Sequence, residues 1–99
     1  MFIHAVLFEI RPQEVRKYRD DSKMWARYAK KAKGFVAYFT MKRLGFQHQY
    51  ASVYEWKTKA DHECFMRKYH DWLEGRSKAR VKLLGYYNLR EIDKLRRRG

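Results

Sequence analysis

Two hydrophobic periods alternate along the chain. Residues 2–10, FIHAVLFEI, are apolar and β-prone and run into Arg11-Pro12, where a strand must end because proline offers no amide hydrogen to a ladder. From Pro12 to Lys33 the spacing changes. Val15, Tyr18, Ser22, Trp25, Ala29 and Ala32 recur every three or four residues with charges between them. This predicts an amphipathic helix with proline in its first turn and Gly34 behind it. Residues 35–43, FVAYFTMKR, and 49–56, QYASVYEW, return to strand character on either side of a hairpin connection that contains Gly45. Thr58, with Asp61 three positions on, predicts the capped start of a second helix, Asp standing where a capping box usually has Glu. Its apolar stripe is Phe65, Met66, Tyr69, Trp72 and Leu73, and its end falls between Glu74 and Arg80. Residues 81–89, VKLLGYYNL, make a fourth strand, and residues 90–99 are either a short helix or a basic tail.

The order βαββαβ in a single domain (residues 1–99, core 2–89) predicts an α+β, ferredoxin-like fold with both helices on one face of an antiparallel sheet. Both faces of that sheet are apolar. In the first strand Ile3, Ala5 and Leu7 alternate with Phe2, His4, Val6, Phe8 and Ile10. In the second, Phe35, Ala37, Phe39 and Met41 alternate with Val36 and Tyr38; in the third, Tyr50, Tyr54 and Trp56 with Ala51 and Val53. In the fourth, Leu83 and Tyr87 alternate with Leu84 and Tyr86. A face meeting water would carry polar residues at alternate positions. Two helices cover one face only, so the other calls for a partner, most economically a second copy related by a two-fold axis.

Composition narrows the classes. Ninety-nine residues carry 24 Lys+Arg against 11 Asp+Glu, a net charge of +13, and the excess is spread over both helical segments and the tail. A spread excess favours solubility and weak attraction to polyanions without marking a site. One cysteine excludes an internal disulfide framework and a Cys-clustered zinc site. No apolar run is long enough to span a membrane, and the N-terminus lacks the basic start and cleavage site of a signal peptide, so the expected location is cytoplasmic.

The chain resembles the dimeric α+β barrel proteins of the antibiotic biosynthesis monooxygenase superfamily, most closely its small bacterial members. Gly34-Phe35, followed by Val36-Ala37-Tyr38, is similar to that family's Gly-Phe strand opening. Val53-Tyr54-Glu55-Trp56-Lys57-Thr58-Lys59-Ala60 is similar to its strand-end Trp, polar turn and helix start, and the chain then closes on a fourth strand near Tyr86-Tyr87. The resemblance implies sheet-to-sheet homodimers with a pocket between helices and sheet in each subunit. It also implies cofactor-free monooxygenases acting on quinols or polyketides, or haem-degrading monooxygenases. The haem-degrading members use an Asn on the first strand with a Trp and a His on the second helix. Here that strand has no Asn, Phe65 stands at the Trp position, and the ligand position falls near Gly75 with His70 the closest histidine.

At about 100° per residue, Phe65, Met66, Tyr69 and Leu73 all lie within about 60° of His62 on the helical wheel, and His70 lies at about 80°. His62 and His70 are the candidate catalytic groups, as proton acceptors or donors or as haem ligands; a histidine bonded to a backbone carbonyl at the core's edge is the plainer alternative. Trp25, Phe65, Tyr69, Trp72 and His4 are candidates to line a site for a flat aromatic ligand, or else to form core. The alternation leaves open whether His4 faces the helices or the dimer. His48 in the hairpin loop is expected in solvent. No metal set emerges, since Asp61, His62 and Glu63 point in different directions on a helix. Cys64 lies about 200° from His62, away from the stripe, with nothing to lower its pKa.

The expected activity is oxidation of an electron-rich aromatic substrate by O₂ without a bound cofactor. Haem or porphyrin binding by the same fold, and a non-enzymatic ligand sensor or stress protein, are the alternatives. A further rival is RNA binding: Lys33-Gly34-Phe35-Val36-Ala37-Tyr38-Phe39 is similar to the strand motif of RNA-recognition modules, but it opens the second strand where that motif belongs on the third.

Overall fold

The period-two stretches become four strands and the longer-period stretches two helices in a computed structural model that describes residues 1–97. In chain order these are β1 (Phe2–Glu9), a 3₁₀ turn over Pro12–Glu14, α1 (Val15–Ala29), β2 (Phe35–Lys42), β3 (Gln49–Trp56), α2 (Lys59–Arg76) and β4 (Lys82–Arg90). The strands form one antiparallel sheet in the order β2-β3-β1-β4, with both helices packed on one face, the ferredoxin-like arrangement. Residues 91–97 form no helix or strand; Arg98 and Gly99, the end of the expected tail or helix, lie outside the described residues. Among the described residues no helix is long and apolar enough to cross a membrane.

Local chemistry sets the element ends. The Thr58 hydroxyl accepts a hydrogen bond from the Asp61 amide at 3.1 Å and starts α2. Gly34 turns the chain into β2 with φ of 82°, and its carbonyl accepts from the Lys57 amide at 2.8 Å. A side chain there would also collide with the Asp61 carboxylate, so the position requires glycine on two counts.

Two irregularities in the ladders correct the simple alternation. Phe35 pairs with Trp56 and Ala37 with Glu55, so Val36 is an extra residue in β2. This turns Phe35 toward the helices, where its ring stands edge-on to Trp56 at 5.6 Å, and leaves Ala37, Phe39 and Met41 on the opposite face. Phe35 is therefore absent from the open face that an RNA platform would use. On the other side of the sheet Leu7 pairs with Gly85 and Phe8 with Leu83, so Leu84 is the extra residue. Leu83 consequently shares the helix-side face with Tyr86 and Asn88, while Tyr87 and Leu89 face the other way.

The helix-side core is Phe2, Ala29, Tyr54, Trp56, Phe65 and Leu73. The other face holds Ile3, Ala5 and Leu7 in β1, Ala51 and Val53 in β3, and the exposed Phe39, Met41, Tyr87 and Leu89 at the edges. Glu55 is a charge among them, and Glu9 and its partner Lys82 lie at one end of the same face. The connection from α2 to β4 is tied back to α1. The Asp21 carboxylate accepts from the amides of Lys78 and Ala79, and Glu14 accepts from the amide of Arg80. Trp25 donates to the Ser77 hydroxyl at 2.9 Å, which in turn donates to the Leu73 carbonyl.

Candidate functional site

Between the helices and the sheet lies a cavity of about 720 Å³. Each helix lends it one row of side chains: Tyr18, Asp21, Ser22 and Trp25 from α1, and His62, Met66, His70 and Glu74, four residues apart, from α2. The floor is His4, Val6 and Phe8 of β1 with Tyr38, Ser52 and Tyr54 of β2 and β3, and β4 adds Leu83, Tyr86 and Asn88. A volume of this order suits a small organic molecule.

Of the residues singled out in the sequence, His4, Trp25, His62 and His70 line the cavity together. His4 thus faces the helices, which the alternation had left open. Phe65, Tyr69 and Trp72 do not line it. They belong to the neighbouring row of α2, turned toward the core and α1: Phe65 packs on Trp56 at 5.3 Å, and Tyr69 and Trp72 pack on Tyr28 at 5.5 and 5.0 Å. The apolar stripe of α2 is wide enough to serve two neighbours, and the cavity takes only the side that begins at His62.

The two buried histidines stack, with ring centroids 4.3 Å apart and planes inclined by 34°. The remaining faces of the pair are aromatic, with Phe2 against His62 at 5.2 Å and Tyr54 and Tyr86 about His4 at 6.2 and 6.1 Å. Burial lowers the pKa of His62 from 6.5 to about 4, helped by the neighbouring His4. Burial also lowers that of His4, against a hydrogen bond to Asn88 that raises it. Both imidazoles are therefore neutral at pH 7. Nδ1 of His62 is buried with no partner. Since a buried lone pair is less costly to leave unmet than a buried N–H, its proton belongs on Nε2.

His70 is built differently. It is partly exposed, with Nδ1 3.0 Å from Asp71 and Nε2 3.3 Å from Glu74, and the edge of its ring meets Trp25. Neither nitrogen is free for a ligand in this arrangement. Of the two histidines singled out on α2, His62 thus has its Nδ1 buried and His70 has carboxylates at both nitrogens. Among the described residues, no three of His, Cys, Asp and Glu converge to hold a metal ion.

A set of hydroxyls completes the floor. Ser52 Oγ lies 2.6 Å from the Tyr18 hydroxyl and accepts from Tyr38 at 3.0 Å. Burial pushes the Tyr18 and Tyr54 hydroxyls up, so they stay protonated. Asn88, Ser52 and Tyr18 were missed as site residues. The signal was present in Ser22 and Ser52 on otherwise apolar faces and in Asn88 as the uncharged polar residue of a strand rich in leucine and tyrosine.

The fold is that of antibiotic biosynthesis monooxygenase structures. The chain is similar to SnoaB, a cofactor-independent oxygenase from Streptomyces nogalater, with a TM-score of 0.74, 9% identity and 95% of each chain covered. It is also similar to a candidate antibiotic biosynthesis monooxygenase from Deinococcus radiodurans, with a TM-score of 0.70, 12% identity and full coverage of both chains. A third such protein, from Bordetella bronchiseptica, has a TM-score of 0.70 and 14% identity, with 92% of this chain and 96% of that one covered. No family model and no curated protein sequence matches the chain.

Proposed function

We propose that this protein is a homodimer whose cavities each bind a flat, electron-rich aromatic molecule and oxidise it with O₂ without a bound cofactor. The observation that carries the reading is the cavity itself: about 720 Å³, walled by aromatic rings, with neutral hydrogen-bonding groups converging from β1, β3, β4 and both helices. Apolar walls bind the ring, and the few fixed polar groups orient its hydroxyl or carbonyl substituents. The chemistry needs no further component. Conversion of a quinol to a hydroxyquinone places one oxygen atom of O₂ on the ring and releases the other as water, so the substrate supplies every electron. The protein's part is to exclude water, hold the ring and accept a proton from it, because the anion gives an electron to O₂ more readily than the neutral quinol. His4, His62, His70 and Trp25 stand together in the wall against which the ring would bind. SnoaB's description as a cofactor-independent oxygenase supports the reading.

The dimer forms through the open sheet face. Phe39, Met41, Tyr87 and Leu89 are each about half exposed there beside the aliphatic centre of the sheet, and a second copy would cover them. The test is O₂ uptake by purified protein with a panel of quinols and no added flavin, haem or metal, alongside sedimentation. The expected result is quinone formed in step with O₂ consumed, by a particle of twice 12.2 kDa. No uptake with any quinol would refute the oxygenase assignment, and a stable monomer would refute the dimer.

A further inference from the structure

His62 and His70 are the histidines that helical spacing brings forward, yet the geometry points to a different one as the proton acceptor. We propose that His4, oriented by Asn88, takes the proton from an acidic hydroxyl on an aromatic ligand, and that His62 donates a hydrogen bond to the oxyanion so formed. The proposal rests on the reading of this cavity as a small-molecule site and names the chemistry of its ligand: a phenol or enol, bound through that oxygen.

Three observations lead there. First, Nδ1 of His4 lies 2.8 Å from the amide oxygen of Asn88, which is directly across the β1–β4 ladder from it. An amide oxygen only accepts, so Nδ1 carries the proton and the lone pair of the neutral ring sits on Nε2. Among the described residues His4 makes no other side-chain bond, and its ring is part of the cavity floor, so Nε2 is the nitrogen left for a ligand. Second, His62 lies against His4 with the opposite tautomer, its proton on Nε2 because Nδ1 is buried without a partner. The stacked pair therefore offers one acceptor and one donor side by side. A hydroxyl can donate to the first while its oxygen accepts from the second. Third, among the described residues no carboxylate contacts the pair. The groups around His4 are His62 from α2, Tyr54 from β3, and Tyr86 and Asn88 from β4, with His70 further along α2. The negative charge formed on the ligand is thus the counterion the new imidazolium lacks.

The step balances as an acid–base reaction. The O–H bond of the ligand breaks, its proton joins Nε2 of His4, and the electron pair stays on oxygen. The bond from Nδ1–H to Asn88 then becomes charge-assisted and strengthens, which favours the protonated ring. His70 is unsuited to this part because carboxylates face both its nitrogens. His62 is unsuited because it has no acceptor behind it to support a second proton. Asn88 is accordingly a positioning residue that acts through His4.

The probe is 4-nitrophenol, whose phenolate is yellow and whose neutral form is not. Bound to the wild-type protein, its ionisation constant should rise about tenfold or more relative to water. His4→Gln and Asn88→Leu should abolish that shift, and Asn88→Asp, which keeps an acceptor for Nδ1–H, should restore or enlarge it. Nitrogen-15 spectra of the ligand-free protein should show His4 protonated at Nδ1 and His62 at Nε2. An unchanged shift in His4→Gln, full retention in Asn88→Leu, a proton on Nε2 of His4, or failure of 4-nitrophenol to bind would each overturn the proposal. These readouts involve no O₂. Loss of the oxygenase assignment would leave them standing, and their failure alongside quinol oxidation would remove His4 while keeping the activity.

Discussion

At the scale of single residues, the site is defined by polar groups held in apolar surroundings. His62 is the clearest case, because its ring is packed by His4, Phe2 and Trp56 and has no counterion among the described residues. The folded-state pKa of about 4 lies below the ordinary 6.5, so the unfolded chain takes up a proton first as pH falls. The stability tied to this neutral ring is fully present above pH 6.5, declines between 6.5 and about 4, and declines no further below that. Denaturant midpoints at pH 7 and pH 5 should therefore differ more in the wild type than in His62→Phe, which keeps the stacking and loses the titration. An equal fall in both proteins would show that His62 is not the group responsible. The helical wheel made His62 legible in the sequence. Asn88 was not, because its value comes from facing His4 across a ladder whose register the sequence does not state.

At the scale of elements, the strand bounds were readable to within a residue or two, since proline, glycine and Thr58 mark their ends chemically. The bulges at Val36 and Leu84 were not readable. Two residues opposing one is a property of a strand and its partner together, and it moved Phe35 and Leu83 to the helix-side face against the alternation. The division of α2 was hidden for a related reason. Phe65, Tyr69 and Trp72 share a broad apolar arc with His62, and only the position of α1 decides that they meet Tyr28 instead of the cavity. Nor does the sequence indicate that Asp21 and Glu14 reach backbone amides nearly sixty residues or more away to hold the cavity wall. Gly34 carries the sharpest prediction here. Gly34→Ala forces a side chain into the left-handed region and against Asp61, next to the cap of α2, and should cost about 1–3 kcal/mol or more in chemical denaturation. A variant as stable as the wild type would contradict the account of that turn.

At the scale of the whole molecule, the sheet separates two jobs. One face, under the helices, carries stacked neutral histidines, hydroxyls and the cavity. The other carries mainly aliphatic and aromatic side chains, with Glu55 among them and Glu9 and Lys82 at one end, and it suits a second copy of the chain. The positive charge belongs to neither face in particular; it is distributed along helices and tail. Mapping where a quinol binds tests this division most directly. In a titration followed by nitrogen-15 and aromatic proton resonances, the account predicts that the Trp25 indole and the rings of His4 and His62 shift together with one affinity, while Phe39 and Tyr87 stay still. Shifts centred on Phe39 and Tyr87, with the histidine pair unmoved, would contradict it.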